Sequence, residues 1–559
     1  RRFWQIYHRP PKPEYRNYLL ERRDSLIPLD ERSFKGAYYT PLHLVEKAYD
    51  KLTEVLGKNW QKNYIVWDMC CGVGNLEVKH SNPRNIFMST LDQADVDVMK
   101  ATKTCIAAHR FQYDYLNDDI TDDGKIDYSL TNKTPKGLQQ AIKKGKKILV
   151  LMNPPYAEAG SALGKDAKGE VAKTKIATMA MVNYGKASNE LFTQFVARIV
   201  QEMPTATIAM FSKLKYVNAP NFEKFRQVWS AEYLDGFIIH SKAFEGLSGN
   251  FPIGFLIWKS NQNAKKNIQI TKIITEVLDK KAQPIGEKAF YNLPNNSFLN
   301  IWLTRPKPNE SQVIPLKNCV TPYTSAKYLD KWSDNAIGYV WCQNNDLQHT
   351  SQQTTLFSSV WGDGHGFYVT PENLWQVAIV FSVRRLIKPT WINDRDQFLQ
   401  PTGELTDEFK NDCLIWMLFN GSNLTASAND LEWNGKKWSI VNHFIPFTET
   451  EVNATARFES DFMVEYLKKK KLSKEAKAVL DAGCELWKAY LSHTDPRNVC
   501  DELKLNRPDV GWYQIRNALK KRNESGDFPP VSFNGFEISY KILTEKLQPL
   551  VFELGFLRE

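Results

Sequence analysis

Apolar residues recur at helical spacing through Leu42, Val45, Ala48, Tyr49, Leu52 and Leu56, which predicts an amphipathic helix over residues 41–56. Beyond it the pattern changes to short apolar runs at 64–67, 86–91, 148–152, 207–211, 237–240 and 255–258. These runs read as strands, and helical patterns such as 188–202 lie between them. Alternating strands and helices predict an α/β domain on a mainly parallel, Rossmann-like sheet with helices on both faces. Two polar stretches interrupt the alternation. Residues 117–147 end in Lys143-Lys144-Gly145-Lys146-Lys147, and residues 157–187 are rich in Gly, Ala and Lys.

From 276 to 460 the periodicity is irregular, with short β-like runs, many Trp and Asn residues and glycine turns such as 361–366. This predicts a separate mixed α+β domain. Helical patterns return at 472–491 and 538–554, so 461–559 reads as a helical region. The charged, aromatic, Pro-rich residues 1–35 read as an arm, and 36–275 as the α/β domain.

A length of 559 residues fits two or three domains. No apolar run approaches the roughly 20 residues of a membrane helix. The opening Arg1-Arg2-Phe3-Trp4 lacks an initiator Met and forms no signal peptide, so we expect the numbering to start inside a longer product. Net charge is +10 and 16 Trp residues are present, a balance that suits a polyanion and also suits large aromatic cores. Eight cysteines show no C-x-x-C pair or zinc-ligand spacing, so reduced buried thiols, no metal and a cytoplasmic, nucleoid-associated location are expected.

The run 148–152 stops at Asn153-Pro154-Pro155-Tyr156. Two prolines fix two φ angles and remove two donors, so the strand must end in a stiff corner. Asn153 presents a side-chain carbonyl, Pro154 a backbone carbonyl, and Tyr156 a flat ring. Two acceptors and a ring suit a planar substrate with an exocyclic NH2; the plain alternative is a surface turn. Upstream, an apolar strand ends in Asp68, and a loop with Gly72 and Gly74 follows. It is neither a G-x-G-x-x-G fingerprint nor a P-loop, and suits a nucleoside bearing an amino acid. The run 86–91 ends before Asp92, placed to accept from ribose hydroxyls. The run 111–116 carries Asp114, placed to meet an adenine amino group, with Tyr115 beside it.

In this order the motifs resemble S-adenosylmethionine-dependent adenine-N6 DNA methyltransferases of gamma-type motif order, in particular the large restriction–modification type. Gly36-Ala37-Tyr38-Tyr39-Thr40-Pro41 resembles the segment that touches the methionine moiety. Asp68 to Gly74 resembles the glycine loop, with Cys70 where many members carry another small residue. Asn153 to Tyr156 matches the catalytic motif in full. The segments 243–246 and 251–258 resemble the family's late segment, which implies Phe244, or second Phe251, against the far face of a flipped base. Residues 413–420 and 476–490 resemble C-terminal stretches of the large members. The resemblance implies S-adenosyl-L-methionine as cofactor and double-stranded DNA as partner. It also implies direct transfer of a methyl group to N6 of an extruded adenine, with Asn153 and Pro154 accepting from N6–H.

Downstream, residues 276–460 are the expected target-recognition domain, and 461–559 a DNA-binding or support region. Lys165, Lys173 and Lys175, with Lys168 and Lys186, are candidates for the phosphate backbone. Arg384, Arg385, Lys388 and Arg395, with Gln397, are candidates for groove or phosphate contact. RNA adenine and a protein glutamine amide remain open as acceptors. A nuclease needs clustered carboxylates and a Lys, and only isolated Glu-x-Lys triplets occur, at Glu77, Glu408 and Glu502. A nuclease domain or subunit outside this chain stays open, and the chain is expected to act as a monomer on DNA.

Overall fold

In the computed structural model the described residues are 40–156, 158, 173–247, 249–263, 267–304, 335–342, 354–359, 366–433, 436–493, 507–522 and 526–558. The arm, Tyr39, Lys165 and Lys168 therefore lie outside them. The chain forms two units, one of residues 1–293 with 390–395, the other of 294–389 with 396–559.

The first unit is built on nine strands: β1 Ile65–Asp68, β2 Ile86–Thr90, β3 His109–Gln112, β4 Ile148–Met152, β5 Thr207–Lys213, β6 Ala231–His240, β7 Pro252–Ser260, β8 Lys272–Leu278 and β9 Pro284–Tyr291. Their order is β3-β2-β1-β4-β5-β7-β6-β8-β9. The pairings from β3 through β5 are parallel, as is β6 with β8, while β7 runs antiparallel between β5 and β6 and β9 antiparallel to β8. The expected α/β architecture on a parallel-dominated sheet is therefore present.

The central strands are apolar along their whole length because both faces are covered. On β4, Ile148, Val150 and Met152 enter one core with Trp67, Ile208, Met210 and Trp258. Leu149 and Leu151 enter the other with Val66, Ala209, Phe211 and Phe255. Helices supply the outer layers. Helix α1 (Leu42–Leu56) and α2 (Gln93–Ala101) bury Leu44, Val45, Leu52, Val96 and Met99 in the second core. Helix α3 (Lys136–Lys143) and α4 (Leu191–Glu202) bury Leu138, Phe192, Phe195 and Ile199 in the first.

The second unit is mixed α+β. Its strands β10 (Gly338–Cys342), β11 (Thr354–Phe357) and β12 (Gly366–Val369) form an antiparallel sheet with β10 in the middle. Strands β13 (Ala428–Trp433) and β14 (Lys436–Ile440) form a hairpin. Helices α5 (Leu374–Leu386), α6 (Asp407–Leu418), α7 (Lys474–His493), α8 (Trp512–Leu519) and α9 (Asn534–Glu553) share one apolar core with β10 to β12. No helix among the described residues is long and apolar enough to cross a membrane.

Candidate active site

The strand order reverses between β1 and β4, whose chains both continue outward from adjacent carboxyl ends. In an open α/β sheet that crevice is where ligands bind. The loop after β1 is the glycine loop, and the corner after β4 is Asn153 to Tyr156. Cys70 joins them: its sulfur faces both the Asp68 carboxylate and the backbone N–H of Asn153.

The glycine loop turns tightly. Gly72 has φ 52° and Gly74 φ 84°, both in the left-handed region that glycine tolerates. The Asp68 carboxylate accepts from the Cys70 N–H at 2.8 Å, and the Cys71 N–H donates to the Ser89 carbonyl of β2 at 3.0 Å. Asp68 is buried, and burial pushes its carboxyl up to about 6, against the Glu77 carboxyl and the Cys70 N–H, which favour ionisation. Glu77 is fully buried, with its carboxyl against that of Asp68. Burial first, and then the charge of Asp68, push Glu77 well above the usual carboxylate range.

At the corner, the Asn153 side chain is held from both ends. Its Nδ2 donates to Thr40 Oγ1 at 3.0 Å, and its Oδ1 accepts from the Tyr156 hydroxyl at 2.7 Å. Thr40 and Pro41 lead into α1, so the N-terminal segment meets the corner directly. Tyr156 is buried and stands edge-on to Phe244, ring centroids 6.3 Å apart. Phe244 is itself buried and also meets Phe211 edge-on, whereas Phe251 is half-buried against the same apolar cluster.

Asp92 is exposed just past β2, at the start of α2. Strand β3 ends at Gln112, short of the apolar run that suggested it. Asp114 ends it by accepting from the Leu116 N–H at 3.1 Å and from Asn117 Nδ2 at 2.8 Å, a turn that competes with the ladder. Tyr115 is buried, and its hydroxyl donates to Glu202 at 2.7 Å.

Sequence reasoning missed two features of this unit. Arg198 of α4 is fully buried and pins the Asp114 turn: it donates to the carbonyls of Tyr115 and Asp118 and to the Tyr113 hydroxyl, and lies over the Tyr115 ring. Lys213, the last residue of β5, donates to the Tyr156 carbonyl. A polar residue at the carboxyl end of the strand next to β4 was the available signal for it.

The remaining candidates lie elsewhere. Lys173 and Lys175 are exposed, and Lys175 Nζ donates to the Ile120 carbonyl at 3.3 Å. Arg395 pairs with Asp394 at 2.6 Å within the first unit. In the second unit Arg384 is buried, its Nε donating to Thr354 Oγ1 at 2.9 Å. Arg385 donates to the Thr354 carbonyl, and Lys388 is exposed. The six described cysteines are free.

No protein-family model matches the chain, and no curated protein matches it. Several solved structures resemble it loosely. The ATP-dependent Type ISP restriction-modification enzyme LlaBIII bound to DNA is 12% identical over 62% of this chain and 26% of that one, with a TM-score of 0.34. The type I restriction-modification methyltransferase subunit from Streptococcus thermophilus is 14% identical over 46% and 50%, at 0.28. The type IIG restriction endonuclease BpuSI is 12% identical over 94% and 67%, at 0.34. The chain spans 26%, 37% and 50% of the first three solved structures that it matches. At such scores these likenesses carry no weight for the reaction.

Proposed function

We propose that the chain is a site-specific DNA adenine-N6 methyltransferase of the restriction–modification kind, using S-adenosyl-L-methionine. One observation carries the reading: the glycine loop and the Asn153–Tyr156 corner lie side by side at the reversal of strand order, with Thr40 bonded to Asn153.

The residues present fit that cofactor. The tight turn at Gly72 leaves that residue partly open, the buried carboxylate of Asp68 suits an ammonium group, and Asp92 stands exposed where a ribose would lie. Asp114, half-buried past β3, is the candidate for the adenine amino group. When bound, S-adenosyl-L-methionine supplies an electrophilic methyl group on a sulfonium. The chain's own work is then positioning. A carbonyl oxygen has two lone pairs, so Asn153 Oδ1 accepts from N6–H while it keeps the Tyr156 hydroxyl. The Pro154 carbonyl takes the other N6–H, which turns the nitrogen lone pair toward the methyl. Positive charge grows on N6 during transfer, and these fixed carbonyl dipoles stabilise it.

An adenine inside a duplex must first be extruded, at about a few kcal/mol. Stacking on Tyr156 would offset that, at about 1–3 kcal/mol per base. Of the two late aromatics, Phe251 keeps an accessible face. Lys173, Lys175 and Lys388 are the exposed candidates for DNA contact, and Arg395 is half-buried.

The test is transfer of labelled methyl from S-adenosyl-L-methionine to unmethylated bacterial DNA, with Asn153→Ala as control. N6-methyladenine formed by the wild type and absent with the variant is expected. Cofactor binding with no label in DNA would turn the search to RNA adenine, a protein amide or a chain that needs a partner subunit.

A further inference from the structure

Four charged side chains gather directly behind the Asn153–Tyr156 corner. Lys213 Nζ donates to the Tyr156 carbonyl at 2.9 Å and lies 3.8 Å from Glu190. Lys215 Nζ lies 2.7 Å from Glu190 and 2.6 Å from Glu158. Glu190 is 2% exposed and Lys213 18% along their side chains, so neither charge is well solvated. Residues 158 and 190 form an antiparallel bridge, which brings both carboxylates to the same point.

Burying an ammonium is costly unless it is paired and bonded. Here the charges balance, two lysines against two glutamates, so the cluster adds no net charge beside a corner where positive charge develops. What it adds is an anchor. Pro154 and Pro155 already fix two φ angles. Holding the carbonyl of Tyr156 restrains the torsions that the prolines leave free between Asn153 and Tyr156. A shift of about 1 Å at a reacting centre can cost roughly a hundredfold in rate, so an anchor at this carbonyl bears directly on transfer.

We propose that Lys213 is a positioning residue for methyl transfer: held by Glu190, its ammonium fixes the Tyr156 carbonyl and so sets the aim of the Asn153 and Pro154 carbonyls. This rests on the methyltransferase reading above. Burial lowers the Lys213 amine from its ordinary value, Glu190 and Glu158 oppose that, and Lys215 and Arg395 reinforce it. Activity should therefore fall on an alkaline limb set by this amine, and Lys213→Arg, whose guanidinium does not titrate there, should carry that limb upward.

The experiment measures three quantities on the full chain for wild type, Lys213→Met, Lys213→Gln and Lys213→Arg. They are cofactor affinity by calorimetry, kcat for methyl transfer against pH, and amide hydrogen exchange of residues 153–158. The expected result for Lys213→Met is an unchanged cofactor dissociation constant, a kcat about ten- to a hundredfold lower, and faster exchange confined to 153–158. Lys213→Gln, which keeps a neutral donor and serves if the Met variant does not fold, should fall in between, and Lys213→Arg should recover part of the rate. Wild-type kcat in the Met or Gln variant overturns the proposal. So does a lower kcat with unchanged exchange at 153–158, or an alkaline limb that Lys213→Arg leaves in place. A wild-type chain that binds the cofactor yet methylates no acceptor sinks the function reading instead, and the positioning role with it, even where exchange at 153–158 responds.

Discussion

The Tyr156 hydroxyl donates a hydrogen bond to the Asn153 side-chain carbonyl at 2.7 Å, so the ring proposed to stack on the base also orients the proposed acceptor of its amine. The two tasks separate by mutation. Tyr156→Phe keeps the ring and loses the orienting bond, and should lower kcat about fivefold with little change in KM for DNA, since a net hydrogen bond contributes about 1 kcal/mol. Tyr156→Ala loses both and should also raise KM. Steady-state kinetics on duplex DNA decide it, and a Phe variant with wild-type kcat removes the hydroxyl from the mechanism.

Thr40 holds the other end of the same amide. Thr40→Val keeps the shape and leaves Asn153 Nδ2 without this partner, so kcat should drop while Thr40→Ser stays close to wild type. Equal rates for the Val and Ser variants would mean that the amide is oriented by other contacts.

Protons should accompany cofactor binding. The Asp68 carboxyl is pushed up to about 6 by burial, from 3.8 when exposed. For an acid whose pKa is raised on folding, the folded chain binds the proton more tightly. Its relative stabilisation is thus full below about 4 and is lost as pH rises through about 6. An ammonium group arriving beside Asp68 favours the ionised form, so binding near pH 6 should release protons. Calorimetry in two buffers of different ionisation enthalpy reads that release. Asp68→Asn should abolish it, flatten the stability profile between about 4 and 6, and weaken cofactor binding.

Gly74 adopts φ 84°, and a Cβ there would meet Met88 Cε at 2.6 Å and Thr104 Cγ2 at 3.1 Å. Gly74→Ala should cost about 1–3 kcal/mol through backbone strain. Chemical denaturation would show a lower midpoint with an unchanged slope; an unshifted midpoint would mean that the loop relaxes freely.

Arg198 bonds three oxygens of the Asp114 turn from inside the protein. Removing one partner of a buried charge network costs about 3–5 kcal/mol, and Arg198→Met should do so. Arg198→Lys, with a single point of donation, should recover little. The loss should appear in the melting temperature and in faster exchange at 113–118.

What was legible in the sequence was local. The run 148–152 and its diproline stop gave β4 and its corner, residue for residue, because consecutive apolar residues with both faces buried admit few other readings. Helix α1 followed from spacing alone. The edge strands were harder. Strand β9 is largely exposed, with Pro284, Gly286 and Lys288 blunting it as edges require, so no apolar run marks it. Strand β3, at the opposite edge, begins at His109 and Arg110 for the same reason. Lys213 reaches Tyr156 across 57 positions of sequence, and Arg198 reaches Tyr115 across 83. No pattern within either segment encodes a partner so distant, since the meeting is created by strand order.

The bridge between residues 158 and 190 joins two distant points of the chain beside the corner. The described residues that lead up to it are not loose surface: Ile176, Met181, Tyr184 and Ala187 enter the first core beside Met152 and Ile208, and the Ile176 N–H donates to the Leu116 carbonyl. A protein engineer who replaced 173–190 to change what the frame acts upon would therefore have to rebuild the core on that side of the sheet as well.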